Sequence, residues 1–253
     1  MNIYDFANGL VMPSGGPLDL QSSFSPASIS GLVAWYDSAD AATVTVDGGG
    51  NVIAVDDKAG LGTPRLVASP AGGPVYGQDQ RSNNKPAFLW PDQTSAKGLE
   101  MDSSADIQCS DVFLVMQYKD GLDAAADQPV SIITNNNGIT GSGNRILVNQ
   151  GLPTIWNKYG MDKVRVNGAA PSNTILPLPL SVVRITRQDN SINTDNAIAL
   201  NAIGARNNNA SNRAWQGVIG EVIAFDYSAG PLSDSDASKV VEYLAAKWET
   251  GIV

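Results

Sequence analysis

The sequence predicts an all-β fold: a two-sheet antiparallel jelly-roll sandwich with one C-terminal α-helix and an extended N-terminal arm. Three observations carry this. About a dozen short apolar runs recur between turn signals from residue 29 onward. The last of these runs, Gly217-Val-Ile-Gly-Glu-Val-Ile-Ala-Phe-Asp226, is followed at once by an amphipathic stretch, Leu232 to Trp248. Residues 1–28 have no sustained periodicity and hold Pro-Ser-Gly-Gly-Pro at 13–17.

The arm, residues 1–28, carries isolated apolar side chains, among them Tyr4, Phe6, Leu10 and Val11. Such a segment orders only against a surface. It is expected to dock either along its own domain or on a neighbouring subunit, with those four residues as the partner-binding set. Residues 29–253 form the domain. Its expected strands are Leu32–Tyr36, Thr43–Val46, Val52–Val55, Ala87–Trp90, Val112–Tyr118, Val130–Thr134, Arg145–Asn149, Thr154–Asn157, Lys163–Asn167, Ser181–Arg187, Ala197–Ile203 and Val218–Phe225. Lys163-Val-Arg-Val-Asn167 alternates with period two and so has one wet face, whereas Val112-Phe-Leu-Val-Met116 is continuous and buried on both. Asp47-Gly48, Asp120-Gly121 and Asn167-Gly168 are turn signals. In the closing helix Ser233 is the expected N-cap, with Asp236 in the capping-box position and Leu232 and Ala237 as a hydrophobic staple. Ala237, Val240, Val241, Leu244, Ala245 and Trp248 share one face that packs on the sandwich, and Gly251 is expected to end the helix.

Composition removes several chemistries. The chain has 253 residues, no histidine and one cysteine. A Ser-His-Asp triad, a Cys-His dyad and a His-ligated zinc are therefore excluded, as is an intrachain disulfide. Cys109 precedes an apolar run and reads as a small buried residue. Net charge is −9, and the 16 basic residues form no run. Nucleic acid and anionic membrane surfaces are thus not expected partners. Apolar residues make up 43 %, enough for a sizeable core, and charged residues only 16 %. The first residues show neither a basic region nor an apolar stretch of the secretory kind. Synthesis in a cytoplasm is the expectation, with release, if the protein works outside, by lysis or by a dedicated machine.

Three segments carry a resemblance. Ile29-Ser-Gly-Leu-Val-Ala-Trp-Tyr-Asp-Ser-Ala-Asp40 runs on into Thr43–Gly60, with Val55 where an aromatic residue would stand. Asn84-Lys-Pro-Ala-Phe-Leu-Trp90 is followed by Gly98-Leu-Glu-Met101. Gly217–Trp248 is the most specific of the three. Together they resemble the concanavalin A-like lectin/glucanase superfamily in its laminin-G-like jelly-roll branch, as found in decoration, head-fibre and tail proteins of tailed bacteriophages. The resemblance implies a structural protein of a virion, carried on the capsid surface, synthesised in the host cytoplasm and bound to other virion proteins such as the major capsid protein. A homo-oligomer is expected. The second implication is a carbohydrate-binding adhesin or fibre component, with Asn136, Trp156, Tyr159, Asn208 and Trp215 as candidate glycan-binding residues.

No enzymatic activity and no cofactor are expected. Glycoside hydrolysis in that superfamily needs paired carboxylates. The chain has four glutamates, and Glu100-Met-Asp102 with Asp106 is the nearest approach to the glucanase pattern, with the third acid one residue out of place. Glu221 alternates with Ile219 and Ile223 and reads as structural, bonded to an arginine or a backbone amide without an acidic partner. Asp37, Asp40, Asp56 and Asp57 lie in turns and leave a calcium site open, without a fixed ligand spacing.

Overall fold

The computed structural model describes residues 24–91, 97–135, 145–157, 164–187, 197–204 and 213–252. In chain order the strands are β1 (Leu32–Asp37), β2 (Val44–Val46), β3 (Val52–Val55), β4 (Leu66–Ala68), β5 (Val75–Gln78) and β6 (Pro86–Trp90). They continue with β7 (Leu99–Met101), β8 (Ile107–Tyr118), β9 (Val130–Thr134), β10 (Arg145–Val148) and β11 (Ile155–Asn157). Among the described residues the last are β12 (Val164–Val166), β13 (Ser181–Thr186), β14 (Ile198–Leu200), β15 (Ala202–Ile203) and β16 (Gly217–Asp226), and the α-helix α1 (Asp234–Trp248) closes the fold.

The strands form two antiparallel sheets. The first runs β12-β13-β8-β16-β6-β5, with β1 also on β16 and β14 also on β8. The second runs β11-β10-β9-β15-β7-β4-β3-β2. The chain crosses between sheets over one residue: β14 pairs with β8 in the first sheet, β15 with β7 and β9 in the second, and Asn201 lies between. Its N–H and C=O are spent on Thr134 and Met101, and its side chain donates to the Ser103 carbonyl (3.1 Å). The predicted strand over 197–203 is therefore two strands in different sheets. β4, β5 and β7 carry no alternation long enough to be read from sequence. Thr43 ends a short 3-10 turn instead of opening β2.

Strand alternation builds two cores. Val112, Leu114, Met116 and Tyr118 of β8 face the second sheet, with Tyr36, Phe88, Trp90, Ile219 and Val222. Phe113 and Val115 face outward and meet Trp35, Ile223 and Phe225 under α1. The uninterrupted apolar run of β8 is thus buried on both faces, as its pattern predicts. All six residues of the predicted apolar helix face are buried.

Both ends of α1 follow elementary capping. Ser233 accepts from the Asp236 N–H (3.1 Å). The Asp236 carboxylate accepts from the Ser233 hydroxyl (2.9 Å), and the Leu232 N–H before the cap donates to Asp111 Oδ2 (2.8 Å). At the other end the expectation for Gly251 fails. The helix stops at Trp248, and Glu249 takes the left-handed conformation with φ 55°. The arm boundary also shifts: Pro26–Ser28 form a 3-10 turn capped by Ser25, and Phe24 meets the Tyr243 ring edge-on at 6.0 Å. Residues 24–28 therefore belong to the domain.

Candidate functional site

Of the residues expected to act, Tyr4, Phe6, Leu10, Val11, Asn136, Tyr159 and Asn208 lie outside the described residues. The two tryptophans part company. Trp215 is wholly buried, edge-on to Tyr118 at 5.3 Å, with its Nε1 bonded to the Val218 carbonyl. It is a core residue with no face to offer a sugar, which corrects the expectation. Trp156 lies on β11 at the end of the second sheet and keeps 37 % of its surface exposed. Glu100 stands on the outer face of β7, between core-facing Leu99 and Met101, and burial raises its pKa above the ordinary carboxylate value. Asp102 is exposed beyond the strand end.

Cys109 is fully buried on β8, and burial pushes its thiol up, so it is held as an unreactive thiol. The turn carboxylates considered for calcium are each engaged by protein groups. Asp37 Oδ2 binds Lys58 and Lys247 at 2.6 Å each, and Asp40 binds Lys58 at 3.2 Å. Asp56 pairs with Arg65, and Asp57 accepts the Trp35 and Leu61 N–H groups. Among the described residues no group of three or more acidic, histidine or cysteine side chains is arranged to hold a metal ion.

The densest polar cluster was not visible in the sequence. Glu221 is wholly buried where β16 passes under α1. Its Oε1 accepts from Trp35 Nε1 (2.6 Å), and its Oε2 from Lys247 Nζ and Trp248 Nε1 (2.7 Å each). Lys247 also holds Asp37, so two buried carboxylates share one ammonium. The predicted arginine or backbone partner of Glu221 is thus a lysine with two indoles, and it does have an acidic neighbour. Burial, then the Asp37 charge, raises the Glu221 pKa. Gly220 makes room for this clamp, since a Cβ there would sit 2.5 Å from Trp248 Cη2. Every polar contact of Glu221 is spent on holding β1, β16 and α1 together, a structural use of charge.

A second buried pair, Asp111 with Arg184, ties β8 and β13 to the start of α1 through the Leu232 N–H. Beside it runs a groove of about 460 Å³ between α1 and β12, lined by Arg165, Arg184, Ala169, Ala237, Val241 and Glu242. A further packing feature lies where the described chain begins. Phe24, Tyr243 and Trp35 interlock edge-to-face at 6.0 and 6.1 Å, and Ile29 is buried beneath α1. The described chain therefore begins packed against α1.

No family model matches the chain, and no curated protein does. Among solved structures, the chain is similar to a Trypanosoma rangeli sialidase in complex with sialic acid, at 9 % identity and a TM-score of 0.48. The match covers 87 % of this chain and 33 % of the sialidase, so the chain spans about a third of that structure's length. The matched protein is an enzyme, and the expectation that this chain has no enzymatic activity is withdrawn on that finding. At this identity and TM-score the likeness brings neither activity, substrate nor site residues to the chain.

Proposed function

We propose that the chain is a structural protein of a tailed-phage virion: a concanavalin A-like jelly-roll domain on the capsid surface, tethered to the major capsid protein or a neighbouring copy by residues 1–23. The observation that carries this reading is the fixed root of the arm. The Phe24–Tyr243–Trp35 interlock anchors the chain beside α1, and the residues before it bring Tyr4, Phe6, Leu10 and Val11 with no lysine or arginine among them. A segment with isolated apolar residues and no sustained periodicity gains its ordering energy from a partner surface. The low charged fraction of 16 % and the resemblance of Gly217–Trp248 to virion domains support the same reading.

The test is made in the particle that encodes the chain. Mass spectrometry of purified particles is expected to find the chain in stoichiometric amount. Replacing it by a version lacking residues 1–23 should leave a folded domain, because Phe24 and the turn behind it are retained, yet abolish incorporation. Absence of the chain from particles, or wild-type incorporation of the truncation, overturns the proposal.

A further inference from the structure

Sheet register brings together, on the outer face of the second sheet, a set of hydrogen-bond donors whose charge is not balanced among the described residues. Arg145 and Leu147 are two apart on β10 and point the same way, because Ile146 and Val148 between and beyond them face the core. Leu147 is opposite Trp156 on β11 and opposite Ser131 on β9. Arg145, Trp156 and Ser131 therefore share that face. Arg213 joins them at the β9 side, where its carbonyl accepts the Ser131 N–H (2.9 Å).

The Arg145 guanidinium lies over the Trp156 ring, 5.6 Å from its centroid. Its Nε and Nη1 are enclosed without a hydrogen-bond partner, and so is the Ser131 hydroxyl. Burial, and after it the charge of Arg213, holds the Arg145 pKa below the ordinary arginine value, and among the described residues no carboxylate acts on it. Glu100, on the same face two strands beyond β9, is shifted by burial alone and does not neutralise the pair. Enclosed charged donors without partners are costly and are kept where a ligand supplies the acceptor. A planar guanidinium fork beside a second one suits a carboxylate. A half-exposed indole offers the flat apolar surface on which the C–H face of a sugar ring packs.

We propose that Arg145, Arg213, Ser131 and Trp156 form a binding site for a saccharide that carries a carboxylate, the oxyanion on the arginines and the ring against Trp156. The site is independent of the virion reading, since the arm can fail to incorporate while the domain still binds sugar, and the reverse. In this proposal Trp156 has the carbohydrate role expected from sequence, with Arg145 and Arg213 beside it.

Calorimetry on the full chain at low salt tests this with four probes: a short oligogalacturonate, its methyl ester, dextran sulfate and poly-glutamate. Oligogalacturonate is expected to bind saturably, and Arg145→Gln and Trp156→Ala each to weaken it about tenfold or more. The neutral methyl ester should be weaker by a similar factor. Without ligand, Arg145→Gln should melt at the same temperature as the parent or higher, because it removes an uncompensated charge. No binding of oligogalacturonate, or binding that Arg145→Gln leaves unchanged, overturns the proposal. So does a fall of several degrees in the Arg145→Gln melting temperature, which marks a structural arginine. Poly-glutamate binding as tightly overturns the saccharide assignment, and a preference for dextran sulfate overturns the carboxylate.

Discussion

Glu221 shows what a single side chain does in this fold. Three N–H donors from Trp35, Lys247 and Trp248 satisfy it, yet burial and the Asp37 charge still raise its pKa. A carboxyl with a raised folded pKa binds its proton more tightly in the native than in the unfolded chain. Its contribution is fully present below the unfolded value and is lost as pH rises through the folded one. Comparing the parent with Glu221→Gln by urea unfolding isolates this from the general effect of the net charge of −9. Stability of the parent relative to Glu221→Gln should fall as pH rises from the ordinary glutamate range toward neutrality. A difference that stays flat with pH, or rises, would show that the three donors outweigh burial. Glu221→Ala should be far worse at any pH, by about 3–5 kcal/mol, since it leaves Lys247 and two indoles facing an empty site.

At the scale of elements, α1 is seated by two local features, and each can be tuned. Glu249 ends the helix in the left-handed region, where a side chain with a Cβ costs about 1–2 kcal/mol. Its ion pair with Lys85 (2.6 Å) is largely exposed on the glutamate side and recovers little of that. Glu249→Gly should therefore raise stability by about 1 kcal/mol in thermal or urea unfolding, and a loss would show the ion pair to be the larger effect. Gly220→Ala should act the other way, costing about 1–3 kcal/mol, because the new methyl group meets the Trp248 ring. The seat and face of this helix were legible in the sequence, since Ser233 and six apolar residues at helical spacing define them without tertiary information. Its end was not, because Gly251 is the residue that backbone preference favours, while the Asn83 side-chain amide donates to the Trp248 and Glu249 carbonyls and holds the chain there. Strands of three residues such as β4 and β7 were illegible for a related reason: neighbouring strands on both sides in the second sheet supply their hydrogen bonds, so local pattern is not needed.

In the whole molecule the same limit decides which polar residues matter. Glu221, Asp37, Lys58 and Lys247 meet only after β1, β16 and α1 have assembled, and Arg145 reaches Trp156 and Arg213 only through sheet register. Trp156 and Trp215 are the same residue type in similar polar surroundings of sequence, and the fold alone separates an exposed platform from a core ring. Cys109 offers a direct measure of how far these parts hold together. It is fully buried on β8, with Asp226 of β16 opposite on one side and Ile198 of β14 on the other. Exposing the thiol by opening β16 would break the first sheet, lift the seat of α1 and separate the clamp around Glu221. Labelling with a thiol reagent should therefore be slow in native buffer, and the opening free energy drawn from it should equal that from urea unfolding. β14, however, has only three residues and lies at a sheet margin, so it is the one element whose loss could bare Cys109 without global unfolding. A labelling free energy well below the urea value would place the weak point at β14. Agreement between the two would show that the short crossover at Asn201, with both backbone groups and its side-chain amide bonded, binds β14 into the cooperative unit.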